Sequence, residues 1–345
     1  MSEAYLIPRT PDHRRDWNQY LRESPGANFY QRFEWQELNE AHFGHKTFSI
    51  AVGEETITGV LPLVLVSSRL FGKILCSMPF VNYGGTCTDN EDSERALLKQ
   101  AMAIADQHRV DYLELRSIRS SCLDLQESTR KVSMTIRLDS DHENIWSGFK
   151  SKHRTNIRRV YKHGIQVKSG HLDLLDDFYH VISHSWRDLG TPLYSKHYFK
   201  SILDHFEQDE IKIFVAYQGD VPICTAFNGY YKDTVEGMWM GTVLQYRQLQ
   251  PTYALYWEMI KDSCEMGCEH YHLGRSTVDS TAEAFKKKWN AEQTQLYWQY
   301  YLPGGGEMPQ LNVDNTKYRL AIDMWKKLPL SVAGLIGPWI SRSIP

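Results

Sequence analysis

Through residues 47–76 and again through 211–240, short apolar-rich runs are separated by turn residues. Each stretch closes on a glycine corner, a helical pattern and one more strand. Apolar runs of this length, bounded by turn signals, read as strands. In the first stretch it predicts strands over Thr47 to Val52, Thr58 to Val66 and Leu70 to Cys76, with a turn at Gly53-Glu54-Glu55. The corner Asn82-Tyr83-Gly84-Gly85-Thr86 follows. Ala96, Leu97, Ala101, Ile104 and Ala105 then recur at helical spacing, predicting a helix over residues 93–107 capped by Asp92 or Ser93. Tyr112 to Ser117 reads as the closing strand. The second stretch predicts strands over Ile211 to Tyr217, Pro222 to Tyr230 and Thr234 to Met240. A helix over residues 252–266, with Pro251 in its first turn, and a strand over Tyr271 to Ser276 complete it.

The two stretches align with each other. Tyr112, Arg116 and Ser117 match Tyr271, Arg275 and Ser276, Gly85-Thr86 matches Gly241-Thr242, and the offsets are all near 160 residues. A repeat this long is no solenoid. It predicts an α+β chain with mixed sheets made by duplication of one domain. The expected boundaries are a first domain over 1–143, a basic connecting helix over 144–172, a second domain over 173–305 and a tail over 306–345.

Charge changes this picture at one place. The formal net charge of −3 excludes an overall nucleic-acid footprint. Residues 144–172, however, hold seven Lys and Arg and no Asp or Glu. Ile145, Trp146, Phe149, Ile157, Val160 and Tyr161 interleave with them at helical spacing, and Gly164 reads as the helix stop. Lys152, Arg154, Arg158 and Arg159 are therefore candidates for gripping a polyanion such as phosphate, tRNA or an anionic lipid head, against the plain alternative of a solvated basic face. The chain starts without an apolar leader, and no apolar run is long enough to span a bilayer. With six cysteines and no export signal, the expectation is a cytoplasmic protein with reduced thiols. Cys264 and Cys268, placed on one helix face, and His270 and His272 match no zinc spacing, so no metal site is expected.

Three motifs carry a resemblance. Ser151-Lys152-x-Arg154-x-Asn156-Ile157-Arg158-Arg159, Gly190-Thr191-Pro192-x-Tyr194-Ser195, and Leu273-Gly274-Arg275-Ser276-Thr277 followed by Phe285-Lys286-x-x-Trp289 resemble the FemAB family of aminoacyl and acyl transferases. Their order along the chain strengthens the match, which looks closest to the branch associated with exopolysaccharide and exosortase loci. The resemblance implies two tandem GNAT-like domains, in agreement with the repeat. It also implies transfer of an acyl or aminoacyl group to an amine, with an acyl-CoA or an aminoacyl-tRNA as co-substrate and no bound cofactor. The implied acceptor is a small-molecule or lipid-linked saccharide or peptide of the cell envelope. The chain lacks the long helical hairpin of some tRNA-using members.

The resemblance assigns Lys286 the stabilisation of developing charge, and the Asn82, Tyr83, Gly84, Gly85 corner a part in the acceptor pocket. Arg275, at a strand end beside Gly274, is placed to fork onto a phosphate or carboxylate and to share the charge-stabilising role, against the alternative of a structural pair with Asp279 or Glu283. A Lys between Phe285 and Trp289 is open to partial desolvation, which strengthens its field; a solvated basic triplet is the plainer alternative. Arg247, Thr252, Tyr253 and Tyr256 mark the donor side, at the loop and first turns of the second helix. There the usual GNAT signature Gln/Arg-x-x-Gly-x-Gly/Ala would hold a pyrophosphate on free N–H groups. Here Arg247-Gln248-Leu249-Gln250-Pro251-Thr252 has neither glycine, and Pro251 lacks an N–H. Two further functions stay open: a non-catalytic scaffold for polysaccharide assembly, and a plain acetyl-CoA N-acetyltransferase. His184, Asp188 and His197 are general-base candidates of equal standing. The tail, with Trp325, Lys326, Lys327, Leu335 and Trp339, either packs back on the first domain or touches the inner face of a membrane.

Overall fold

The computed structural model describes residues 3–68, 72–306, 308 and 316–344. The chain divides into two compact units. One comprises Met1–Val132, Thr294–Gln310 and Ser343–Pro345, the other Ser133–Gln293 and Leu311–Arg342.

The first unit is built on strands β1 (Ala4–Leu6), β2 (Lys46–Val52), β3 (Gly59–Ser68), β4 (Gly72–Cys76), β5 (Tyr112–Ser117) and β6 (Gln126–Ser128). Its helices are α1 (Pro11–Glu23), α2 (Phe33–Phe43) and α3 (Glu91–His108). β3 is buried over its first eight residues, as expected of a central strand covered on both faces. Leu97, Leu98, Ala101, Ile104 and Ala105 of α3 pack against Ile50, Leu61, Leu63 and Leu113 of the sheet. The second unit opens with β7 (Lys131–Arg137) and the helices α4 (His142–Gly148) and α5 (Ser151–Lys162). β8 (Ile165–Gly170), α6 (Leu175–Leu189) and α7 (Lys196–His205) follow, then β9 (Ile211–Gln218), β10 (Val221–Tyr231), β11 (Thr234–Thr242), α8 (Thr252–Glu265) and β12 (His270–Thr277). The chain ends with α9 (Thr281–Lys286), β13 (Glu292–Gln295), β14 (Tyr297–Tyr301), α10 (Thr316–Trp325) and α11 (Leu330–Ser341).

The duplication is visible strand by strand. One seven-stranded sheet runs β1-β2-β3-β4-β5-β14-β6 and the other β8-β9-β10-β11-β12-β7-β13, so position four is parallel to position five in both. A crossover helix, α3 or α8, joins those two strands. The sixth place of each sheet is filled out of order, by β14 in the first and β7 in the second.

The boundaries therefore differ from the sequence expectation. Residues 144–172 are not a separate connector, because α5 packs on α8 and β8 is an edge strand of the second sheet. Residues 297–301, assigned to the second domain, complete the first sheet, antiparallel to β5. β3 and β4 fall where the sequence pattern put strands, although Leu70 lies outside the described residues. Asn90, not Asp92 or Ser93, caps α3. Cys268 lies beyond the end of α8 and off the face that carries Cys264.

Candidate functional site

In the second unit, β11 and β12 pair over only three residues, Thr234 to Glu236 against His270 to His272, although both strands continue. Gly274 interrupts β12 with φ +74, a conformation glycine adopts without steric cost. Beyond it the chain turns into α9, capped by Ser280, whose side chain accepts from the Glu283 N–H. Lys286, at the end of that helix, is buried, and its Nζ donates to Gly274 O at 2.8 Å and Arg275 O at 3.1 Å. Burial, followed by the nearby Arg275 charge, pushes its pKa down to about 8.

One aromatic cluster joins this strand end to the start of α8. Tyr253 and Tyr256 meet the Phe285 ring at 5.5 and 5.7 Å and the Trp289 ring at 5.9 and 5.2 Å. His153 of α5 enters the same cluster, 4.4 Å from Trp289 and 5.4 Å from Tyr253 between ring centroids. Burial holds its pKa down to about 4, and Lys288 adds to the effect. It is therefore a neutral imidazole at physiological pH, and neither ring nitrogen has a hydrogen-bond partner.

The N-terminus of α8 is uncapped. Its cap residue is Pro251, no side chain caps it, and no acidic residue lies in its first turn. The Tyr253 N–H is taken by Gln250 O. That leaves the Thr252 and Ala254 amides as first-turn donors with no acceptor inside the helix. The loop before it is a 3₁₀ turn, Leu244–Leu249, ending on Gln250 at φ +55. Gln250 thus adopts the left-handed turn that a glycine would serve. The strain of about 1–2 kcal/mol is offset by Arg159, whose Nη2 donates to Gln250 Oε1 at 2.5 Å. From the same helix, Asn156 Nδ2 donates to the Tyr253 hydroxyl at 3.4 Å.

The first unit's copy of this place is closed. The cap of α3 is filled by the Asn90 side chain, which accepts from the Asp92 and Ser93 N–H groups. Glu91, Asp92 and Glu94 fill its first turn and repel an anion. At the end of β5, Arg116 is buried, with Nε 2.7 Å from Glu114 Oε1. The loop after β4 seals the strand opening: Ser77 Oγ accepts from the Arg116 N–H, and the Gly84 N–H donates to Arg116 O.

Residues 149–287, within the second unit, match the family model of the acetyltransferase (GNAT) domain. Among solved structures, FemX aligns with a TM-score of 0.65 at 15% identity, over 86% of this chain and 96% of that one. A tandem GNAT protein from the clavulanic acid biosynthesis pathway aligns at 0.56 and 10%, over 89% and 100%. The C-terminal domain of a putative lysylphosphatidylglycerol synthetase from Agrobacterium fabrum aligns at 0.57 and 12%, over 83% and 91%. No curated protein matches the chain in sequence. The chain has a tandem GNAT fold, with an acetyltransferase (GNAT) domain in its second unit.

In this tandem GNAT fold, the expected donor and charge-stabilising residues come together in the second unit. Lys286 and Arg275 lie at the end of β12, Tyr253 and Tyr256 belong to the shared aromatic cluster, and Thr252 opens α8. Arg247 is exposed on the loop before it. The basic residues of α5 divide in two. Arg154 Nη1 bonds the carbonyls of Trp146, Ser147 and Phe149 and so closes the end of α4, a structural task. Lys152, Arg158 and Arg159 are exposed, with Arg158 over the Trp146 ring. Among the general-base candidates, Asp188 accepts from Arg187, and His184 Nδ1 meets His180 O.

The corner Asn82-Tyr83-Gly84-Gly85 is built into the interior of the first unit and is not presented as a ligand surface. Asn82 Nδ2 donates to the Tyr30 hydroxyl, the Tyr83 ring packs on Tyr30, and Gln31 Nε2 donates to Gly84 O and Gly85 O. Gly85 has φ +77, and a Cβ there would lie 2.4 Å from Ser117 Oγ. Gly85→Ala should therefore destabilise the protein by about 1–3 kcal/mol, read as a lower midpoint in urea. An unchanged midpoint would refute the close approach. Sequence reasoning missed His153 and Gln250. The signals were present: His153 shares the Phe149, Ile157, Val160 face at helical spacing, and Gln250 stands where the signature has glycine.

Proposed function

We propose that this acyltransferase moves an acyl or aminoacyl group onto the amino group of a cell-envelope precursor, a peptidoglycan-type peptide or an exopolysaccharide amino sugar. The observation that carries the site assignment is the contrast between the two crossover helices. α8 meets its loop uncapped, without acids, and beside Arg247 and Arg159, whereas α3 is capped and acidic. An anionic donor would bind at α8, with the Thr252 and Ala254 amides and the two arginines holding phosphate. Lys286 and Arg275 would then face the charge that develops on the acyl carbonyl oxygen when the amine attacks. The likeness to FemX and to a lysylphosphatidylglycerol synthetase domain supports aminoacyl transfer, and the GNAT match supports an acyl-CoA.

Calorimetric titration with acetyl-CoA, longer acyl-CoAs and charged tRNA distinguishes the donors. Binding of none of them would overturn the proposal. If the donor is an aminoacyl-tRNA, the Arg158→Glu, Arg159→Glu double variant should raise its KM about tenfold or more and flatten its salt dependence, because two phosphate contacts become repulsive. An unchanged KM for tRNA would remove α5 from donor binding.

A further inference from the structure

The last two helices show an inverted pattern. In α11, Ala333, Gly337 and Ser341 are buried at every fourth position, and this small-residue face docks on the second unit. Ser341 Oγ donates to Leu193 O at 3.1 Å, and a Cβ on Gly337 would lie 2.8 Å from Leu193 N, so no larger residue fits there. Arg187 Nη1 donates to Leu328 O at 2.9 Å, and Trp325 is buried, which pins the turn between α10 and α11. The anchored helix presents apolar residues to solvent. Leu335 is 76% and Trp339 74% exposed, with Val332 and Ile336 part of the same stripe, and in α10 Met324 is 71% and Leu320 60% exposed. Trp17, Trp35 and Trp289, by contrast, are fully buried.

We infer that α10 and α11 form a docking surface for an anionic membrane. The charge beside the stripe selects this occupant: residues 316–345 carry five Lys and Arg against one acidic residue, Asp323. Arg342 lies over the Trp339 ring at 5.5 Å, the pairing of flat aromatic and cation that suits the headgroup boundary. α11 has 12 residues, too few to cross a bilayer, and no described helix is long and apolar enough to do so. The helices would lie in the plane of the surface, with Leu335 and Trp339 in the acyl boundary and Lys326 and Lys327 at the phosphates. This surface is independent of the transfer chemistry and would bring the enzyme to a lipid-linked acceptor.

The test is co-sedimentation of the full chain with phosphatidylglycerol vesicles and with phosphatidylcholine vesicles, alongside light scattering of the protein alone. The wild type should bind the anionic vesicles more tightly, and less so as salt rises. Leu335→Glu with Trp339→Glu should weaken that binding on the order of 100-fold, from the lost burial of two large side chains. Lys326→Glu with Lys327→Glu should weaken it about tenfold. Val221→Glu, an exposed apolar position of the same unit away from these helices, should change nothing. Absence of vesicle binding, equal binding to both lipids, or binding that survives the Leu335 and Trp339 changes would overturn the inference. So would a dimer abolished by the same two changes without vesicle binding, which would assign the stripe to a second copy of the chain.

Discussion

Lys286→Met is expected to lower turnover by about 10²- to 10³-fold, the loss that follows removal of one charge-stabilising donor from a desolvated site. The substitution keeps an unbranched side chain one atom shorter, and a neutral thioether suits the burial. The fold should survive with a cooperative melt. The buried Gly274 carbonyl and the half-buried Arg275 carbonyl lose a donor, which lowers stability by about 1–3 kcal/mol. The pH profile separates a catalytic from a structural role. With its pKa pushed down to about 8, Lys286 is charged at neutral pH and loses its proton as pH rises past that value. Wild-type kcat should fall along an alkaline limb near pH 8. Unfolding does not account for such a limb. A buried Lys with a lowered folded-state pKa binds fewer protons folded than unfolded between about 8 and its ordinary value, so its contribution to stability increases as pH rises through that window. Arg275→Met should shift the limb upward, because the Arg275 charge contributes to the depression after burial. Turnover of Lys286→Met within a factor of two of wild type, with the limb intact, would remove Lys286 from the chemistry.

Most of the fold was legible because strands of period two and helices of period 3.6 are local signals. The core strands β2, β3, β5, β9, β10 and β12 and both crossover helices fall close to their expected places. The domain boundaries were not legible, because membership of a sheet is a long-range property. The segment 297–301 falls inside the second domain in sequence order yet pairs with β5, and nothing in Tyr297 to Tyr301 announces that partner. The site was half legible. Lys286, Arg275, Tyr253 and Tyr256 are drawn together by tertiary packing of residues that motif order had already singled out. The glycine corner misled because a glycine pair serves ligand approach and tight interior packing equally well. Here the 2.4 Å approach at Gly85 and the bonds from Gln31 show packing. A sum of charges over 144–172 could not tell Arg154, which closes a helix, from Arg159, which reaches Gln250 in the loop before α8.

The two copies of the Tyr-x-x-x-Arg-Ser strand should respond oppositely to the same substitution. Arg116→Met is expected to destabilise the protein by about 3–5 kcal/mol, because it strands a buried carboxylate. Arg116 and Glu114 are both at most 2% exposed, their Nε to Oε1 distance is 2.7 Å, and the guanidinium lies 4.6 Å from the Trp298 ring centroid. Tyr300 also bonds Glu114, but a neutral hydroxyl does not replace the lost charge. At the matching position of the second unit, Arg275 is half-buried, and the residue two before it is Leu273 instead of Glu. Its neighbour is a second cation, Lys286. No carboxylate of its own strand is left unpaired when Arg275 is removed. Arg275→Met should therefore melt within about 1 kcal/mol of wild type, the range for a partly exposed pair, while losing turnover. The double variant Glu114→Leu, Arg116→Met should recover much of the stability lost in Arg116→Met, since apolar residues that replace both partners remove the uncompensated charge. Urea unfolding of the four proteins, with turnover measured on each, settles the comparison. An Arg116→Met protein as stable as wild type, or an Arg275→Met protein as active, would mean that duplication left the two arginines with the same task. The opposite responses would show that one copy of the strand end became interior structure while the other kept its charge for a substrate.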